Sequence, residues 1–571
     1  DFTTQSVLGK TDFKPVRPPP RRLTTRHMKS VMRYCNIFEG QMDVHKMQSR
    51  LDSVGATLTS YPGPAEARAK LEAIDKQTVE IGLHAAAKCR KIYKPPLPFS
   101  QEVHVLDELK KIYSGLLRRL DGRCHNESNL IRKAWRFEIT NPRELSRLQC
   151  LDGVRYCKGR LLEMRKSARG LRKVHLRNRL ILAEERGDKA AYKGVKQTIE
   201  QEESKPMWRA INLSVDDARL GATDHVQRQR PDGSIEEITD TQEMNAEIQH
   251  VTEQRFDLAH SAQITMSSLA VKLGYLSDTE FAQELLSGQV AIPSDVDDTT
   301  TIVLEEIARL GMTIESFAGE KLIITPEKFR HYWRQVKEET SSSASDFHFG
   351  HYRAATHSDK ITQFFADKLT IVARSGCPPE RWGVGLQVLL EKIAGVALVN
   401  KMRSILLMEG DYNYLNKYIF GYEALNALQA EGYLLDEQYN QGESTAEDAK
   451  MDSRLTFDIS RQLRQPMAST SADAAYCYDR LNHLIMSLLL LSITGWIGAV
   501  VCLLHPIQTM KFFQRTARGD SSTFFGGPGR FRPLQGLCQG NTAAPGCTTM
   551  LFAVLLQCYY HLGFGATIMS P

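Results

Sequence analysis

The sequence predicts an α+β fold in which helices outnumber strands. Three features carry that expectation. Apolar residues recur at three and four from residue 101 to about 212; Pro231, Asp232 and Gly233 form a turn signal between short strand-like stretches; and apolar runs suited to paired strands flank Gly395. With 42% hydrophobic and 25% charged residues, the 571-residue chain has the composition of an ordinary globular protein, long enough for a large core and about three to four domains.

Residues 1–100 combine the proline-rich run Pro15–Pro20, short helical patterns and the loop KPPLPF, and read as a loosely organised N-terminal extension. Residues 101–220 read as a basic helical region, beginning with HVLDELKKIYSGLLRRL. The formal net charge of +6 says little about partners at this length, but its distribution says more. From Arg143 to Arg179 there are twelve Lys or Arg against three acids. Arg165, Lys166, Arg169, Arg172, Lys173 and Arg177 lie in this run, which suits either a solvated helix face or a surface that follows nucleic-acid phosphates.

A connector follows over residues 221–339. Its hairpin, TDHVQRQRPDGSIEEIT, leads to a helix capped by Asp240 or Thr241 and running through EMNAEIQHVTEQRF, and IVLEEIARLGM has helical spacing again. Residues 340–450 open on the serine-rich loop SSSASDFHFGHYRAA and continue into GLQVLLEKIAGVALVNKMRSILL. From the residues alone, Lys401 and Arg403 are either solvated cations on a surface hairpin or donors to a triphosphate. In the last region, 451–571, Asp473 and Asp479 stand six apart, with Tyr478 against the second. Further on, RFRPLQGLCQGNTAAPG carries two QG pairs and a small-residue platform that a flat ligand can approach.

Leu484–Leu504 is a 21-residue stretch without charge, long enough to span a bilayer. Against spanning, SITGWIG reads as a break between two buried helices, and neither flank carries a Lys/Arg bias. No membrane association is therefore expected, with a membrane-anchored protein held through 484–504 as the rival. The N-terminus shows no signal-peptide pattern and begins with Asp, so the chain reads as a piece of an intracellular protein, nuclear or cytoplasmic. Eleven cysteines without a CxxC argue against a disulfide framework or zinc cluster, and Cys124 beside His125 lacks a second ligand pair.

In order, a basic helical lead, a serine-rich loop with HFGHY, a hairpin ending in KMRSILL, an aspartate strand and a QGNTAAP turn resemble a reverse transcriptase of the non-LTR retroelement type. The likeness covers residues 340–571: fingers over 340–450 and a partial palm over 451–571. ADAAYCYDRL is similar to the family's first palm motif. This implies Asp473 as the catalytic, metal-binding carboxylate, Tyr478 as the aromatic beneath the incoming sugar that discriminates against a 2'-hydroxyl, and Asp479 as a structural or helix-starting acid. QGNTAAP resembles the family's QGxxxSP turn, with Gln539, Gly540 and Pro545 in register and Ala544 where serine is usual. Arg403 matches the arginine of the RPI motif, with Ser404 in place of proline, and so becomes the triphosphate contact, with Lys401 and Lys392 as further candidates.

The resemblance implies RNA-templated DNA synthesis from a DNA primer and deoxynucleoside triphosphates, through two Mg2+ (or Mn2+) ions that activate the primer hydroxyl and stabilise the departing pyrophosphate. It also implies a palm whose antiparallel sheet is backed by the apolar helices after Asp479. The family's YxDD-like pair follows its QG turn, and residues 547–571 contain no acid. The expectation is a nucleotidyltransferase site that is incomplete in this chain, truncated before that motif. A non-catalytic, nucleic-acid-binding remnant of a retroelement is the alternative.

Overall fold

Among the described residues helices dominate, and most of the longer ones bury an apolar stripe spaced at three and four. The computed structural model describes residues 23–25, 27–89, 99–122, 126–200, 202–204, 223–313, 322–338, 344–393, 395–439, 444–469 and 474–564. The chain divides into two units, one of Asp1–Lys91 with Leu220–Pro571 and one of Ile92–Arg219.

The first unit opens with α1 (Met28–Val44), α2 (Met47–Thr57) and α3 (Ala65–Ala87). In α1, Val31, Tyr34, Cys35, Phe38 and Met42 fall on one stripe and are all buried in the main core. Phe38 meets Phe365 at 6.1 Å between ring centroids, and Tyr34 meets His351 at 5.6 Å. The expected loose extension is thus corrected for these residues: they are core helices, because their stripes find apolar partners more than 300 positions away.

The second unit is helical. α4 (Gln101–Leu120), α5 (Glu127–Arg136) and α6 (Arg147–Glu185) enclose a small core of Ile112, Leu116, Ile131, Ala134, Ile139 and Cys150. Ser146 and Gln149 form a capping box that starts the 39-residue α6.

The first unit resumes with the hairpin β1 (Val226–Gln229) and β2 (Ile235–Ile238), antiparallel as the turn signal requires. α7 (Thr241–Asp257) follows, with Asp240 accepting from the N–H groups of Gln242 and Glu243. After several short helices come α8 (Asp298–Thr313), α9 (Pro326–Gln335) and α10 (Asp359–Ser375). Strands β3 (Val384–Leu390) and β4 (Arg403–Leu407) lead into α11 (Gly410–Tyr418), and α12 (Ala446–Gln462) stands before the candidate palm turn. α13 (His483–Thr494) and α14 (Ile497–Gln508) precede the hairpin β5 (Lys511–Thr516) and β6 (Gly519–Gly526), and α15 (Ala544–His561) closes the described chain.

The four-stranded sheet has the order β4-β3-β5-β6. Its outer pairs are antiparallel and its central pair, β3 with β5, is parallel, so the sheet is mixed where an antiparallel one was expected. The cause lies in the connection. Residues 391–510 separate β3 from β5, long enough for the crossover that parallel strands require. The same sheet joins strands from both sides of residue 450, so the division expected there between fingers and palm does not separate two sheets.

Gly495 takes φ +62° and ends α13, which breaks the apolar stretch as SITGWIG suggests. α13 and α14 have 12 residues each, about 18 Å of helix against a hydrocarbon layer of about 30 Å. No described helix is long and apolar enough to cross a membrane. Instead Leu488, Leu489, Leu490, Val500 and Leu503 are part of the main core.

Five charges, four of them buried, tie this core together. Lys368 of α10 reaches Asp75 of α3 at 2.5 Å, while Arg381 contacts Asp75 at 2.6 Å, Glu409 at 2.6 Å and Asp411. Burial alone would raise the Asp75 carboxyl, but Arg381 and Lys368 outweigh it and hold it below the ordinary carboxylate range. α3 is thereby fixed to the chain leaving β4.

Candidate functional site

Three segments distant in sequence meet at one turn. Tyr476 takes φ +54° and ψ +40°, which reverses the chain into the 3-10 turn Cys477–Arg480. Leu537 N–H donates to the Tyr478 carbonyl at 2.7 Å, and Gly536 N–H donates to the Leu481 carbonyl at 2.9 Å. On the other side, Leu406 N–H of β4 donates to the Gln539 carbonyl at 2.7 Å. The QG turn is thus laced to both the CYDR turn and the edge strand that begins at Arg403.

Both glycines of the QG pairs are required by geometry. Gly536 has φ +80°, and a Cβ there would lie 2.5 Å from the Asp479 carbonyl oxygen. Gly540 has φ +125°, and a Cβ there would run into the Leu406 carbonyl. His483 locks the turn from below: its N–H donates to Gln535 Oε1 at 2.7 Å, and its Nε2 bonds the Gly536 carbonyl at 2.7 Å. Burial pushes this imidazole down to about 4, so it is neutral, with Nε2–H donating and Nδ1 accepting from Gln508.

Asp479 is buried at the centre of this lacing. Desolvation raises its carboxyl to about 6, opposed by Arg255, 3.9 Å away, and by the backbone N–H of Gln539, which the carboxylate accepts. Arg255 is committed as well. Its Nη2 donates to the Val399 carbonyl at 3.2 Å, and its guanidinium stacks 4.4 Å from the Tyr476 ring centroid. The Tyr476 hydroxyl donates to the Asn400 carbonyl at 2.6 Å, and Lys392 lies 5.9 Å from the same ring.

Comparison with protein-family models and with curated proteins finds no match to this chain.

Of the residues singled out in the sequence, Tyr478, Gln539 and Gly540 meet at this turn, with Gln539 half-buried and Gly540 exposed. Arg403 is exposed at the start of β4, opposite Leu390 in the sheet register, and Lys401 is exposed in the turn before it. Neither has an ion-pair partner among the described residues. Asp473 lies outside the described residues. The acid that is described here, Asp479, does not fit a divalent cation, because a backbone amide and a buried arginine already take its charge. Among the described residues no group of three or more Asp, Glu, His and Cys side chains is placed to hold a metal ion.

In the second unit, the side chains of Arg165, Lys166 and Arg169 lie outside the described residues. Arg172 is spent within its own unit, pairing with Glu202 at 2.9 Å and donating to the Phe99 carbonyl at 3.2 Å. Lys173 and Arg177 are exposed without an ion pair among the described residues and, four apart on α6, share a face. Sequence reasoning missed Arg255, Tyr476 and His483. One signal was available for the first: Met244, Ile248, Thr252 and Arg255 recur at helical spacing, which sets a cation on the stripe α7 buries.

Proposed function

We propose that the chain carries the fingers and part of the palm of a retroelement-type reverse transcriptase, one that binds an RNA template, a DNA primer and the incoming deoxynucleoside triphosphate. One observation carries this reading. Three short segments with family-like motifs, 403–407, 478–481 and 535–540, share backbone hydrogen bonds around a single buried carboxylate. In this reading Asp473 is the ion-binding carboxylate, Tyr478 lies beneath the incoming sugar, and Arg403 with Lys401 meets the triphosphate. Lys173 and Arg177 contact backbone phosphates. Magnesium or manganese belongs to the reading through the resemblance of residues 472–481 alone.

The test titrates residues 1–571 with a labelled RNA–DNA hybrid and with a fluorescent deoxynucleotide. The reading expects hybrid binding that weakens steeply with salt, as counterion release requires, and nucleotide binding that Arg403→Ala removes. Absence of both overturns it. Templated primer extension that Asp473→Ala abolishes would show that no paired-aspartate hairpin is needed.

A non-catalytic, nucleic-acid-binding role is the second reading, favoured by the engagement of Asp479 with Arg255 and the Gln539 amide. It expects hybrid binding without incorporation in either magnesium or manganese.

A further inference from the structure

Between β6 and the QG turn, residues 527–533 (GPGRFRP) leave the sheet and return, and Phe531 stands 98% exposed, the most open large apolar side chain among the described residues. The loop that carries it is pinned at both ends. Gly527 N–H donates to the Met510 carbonyl at 2.8 Å, the His260 imidazole bonds the Pro533 carbonyl at 2.9 Å, and Leu534 and Gln535 are fully buried. Arg530 is tied to Glu253 and Asp257 of α7, so its one positive charge offsets part of the two acids beside the loop. Pro528 and Pro533 restrict its backbone further. Arg532, the next residue in the chain, is exposed and has no ion pair among the described residues. A second open ring, Phe524, stands at the loop's root, 42% exposed, with Lys511 5.3 Å from its centroid.

An aromatic ring held in water on a fixed mount, with an unpaired arginine as the next residue in the chain, supplies the two devices by which proteins hold unpaired nucleic acid: a face for a base and a cation for the backbone. We propose that Phe531 and Arg532 form a stacking contact for an unpaired base of a single-stranded nucleic acid. The contact rests on the polymerase reading above and adds to it a hold on the strand outside the duplex. Five residues of extended chain span at most about 18 Å, so the backbone of Phe531 stands within that distance of Gly536 and the candidate site.

The experiment measures binding of a labelled single-stranded oligouridine and of a blunt RNA–DNA hybrid to residues 1–571 by fluorescence anisotropy. Phe531→Ala is expected to weaken single-strand binding by about 5- to 100-fold and leave hybrid binding within about twofold. Phe531→Trp should keep the affinity, and the emission it adds over wild type should fall when the oligonucleotide binds. Because the side chain is exposed, both variants should melt with wild type. Wild-type hybrid binding together with single-strand affinity unchanged in Phe531→Ala overturns this inference and leaves the polymerase reading standing. Failure of the wild type to bind either nucleic acid overturns both.

Discussion

The carboxylate of Asp479 lies 3.9 Å from the guanidinium of Arg255, with 8% and 4% of the two side chains exposed. Removing one partner leaves the other charge buried alone. Arg255→Met should therefore lower stability at neutral pH by about 3–5 kcal/mol, the usual cost of breaking a buried pair. Adding Asp479→Asn should recover much of that loss, because a neutral amide oxygen still accepts from the Gln539 N–H. Urea unfolding of the two single variants and the double variant measures the coupling; equal costs that simply add would show that the pair is not coupled.

Asp479 and His483 should tilt stability with pH in opposite directions. With its carboxyl raised to about 6, native Asp479 holds a proton that the unfolded chain has lost, so its contribution falls as pH rises from about 4 to 6. With its imidazole lowered to about 4, native His483 lacks a proton that the unfolded chain binds, so its contribution rises over much the same window. Each slope is of the order of 1.4 kcal/mol per pH unit, and in wild type they largely cancel. Asp479→Asn should leave stability rising with pH, and His483→Gln should leave it falling. Unfolding midpoints taken across the window decide the matter; parallel profiles for the two variants would contradict both assignments.

Gly540→Ala should loosen the QG turn from β4. The substitution is strained at φ +125° and drives a methyl group into the Leu406 carbonyl, at a cost of about 1–3 kcal/mol. The readout is local. Hydrogen exchange at the Leu406 amide, which donates to Gln539, should accelerate well before that of the β3 amides.

Lys368→Met should be among the more damaging core substitutions. It would leave Arg381 alone against Asp75, Glu409 and Asp411, three buried acids around one cation, and should cost about 3–5 kcal/mol. Thermal unfolding of the variant tests this; an unchanged midpoint would mean that Lys368 adds nothing to the cluster.

On α6, the exposed cations should separate from the committed one. If Lys173 and Arg177 each contact a phosphate, replacing both by Ala should flatten the logarithmic salt dependence of duplex binding by about 1.8. Arg172→Ala should instead weaken the helical unit, through loss of its pairing with Glu202, and leave the salt slope nearly unchanged. Binding isotherms at several salt concentrations distinguish the two.

By itself the sequence determined the local structure. The Asp240 cap, the Pro231–Gly233 turn, the end of α13 at Gly495 and the long periodic helices of 101–185 follow from backbone preferences and apolar spacing, which act over a few residues and are written there. It also marked the segments that meet at the candidate site: Tyr478, Gln539 and Gly540 could be named before any contact was known. What only the tertiary structure decided lies between residues far apart. The parallel pairing of β3 with β5, the burial of α1 to α3 in the main core, the closure of Gly536 against Asp479 and the choice of Arg255 as its counter-charge have no local signature. Each depends on desolvation and close packing, and those forces exist only once distant stretches have come together.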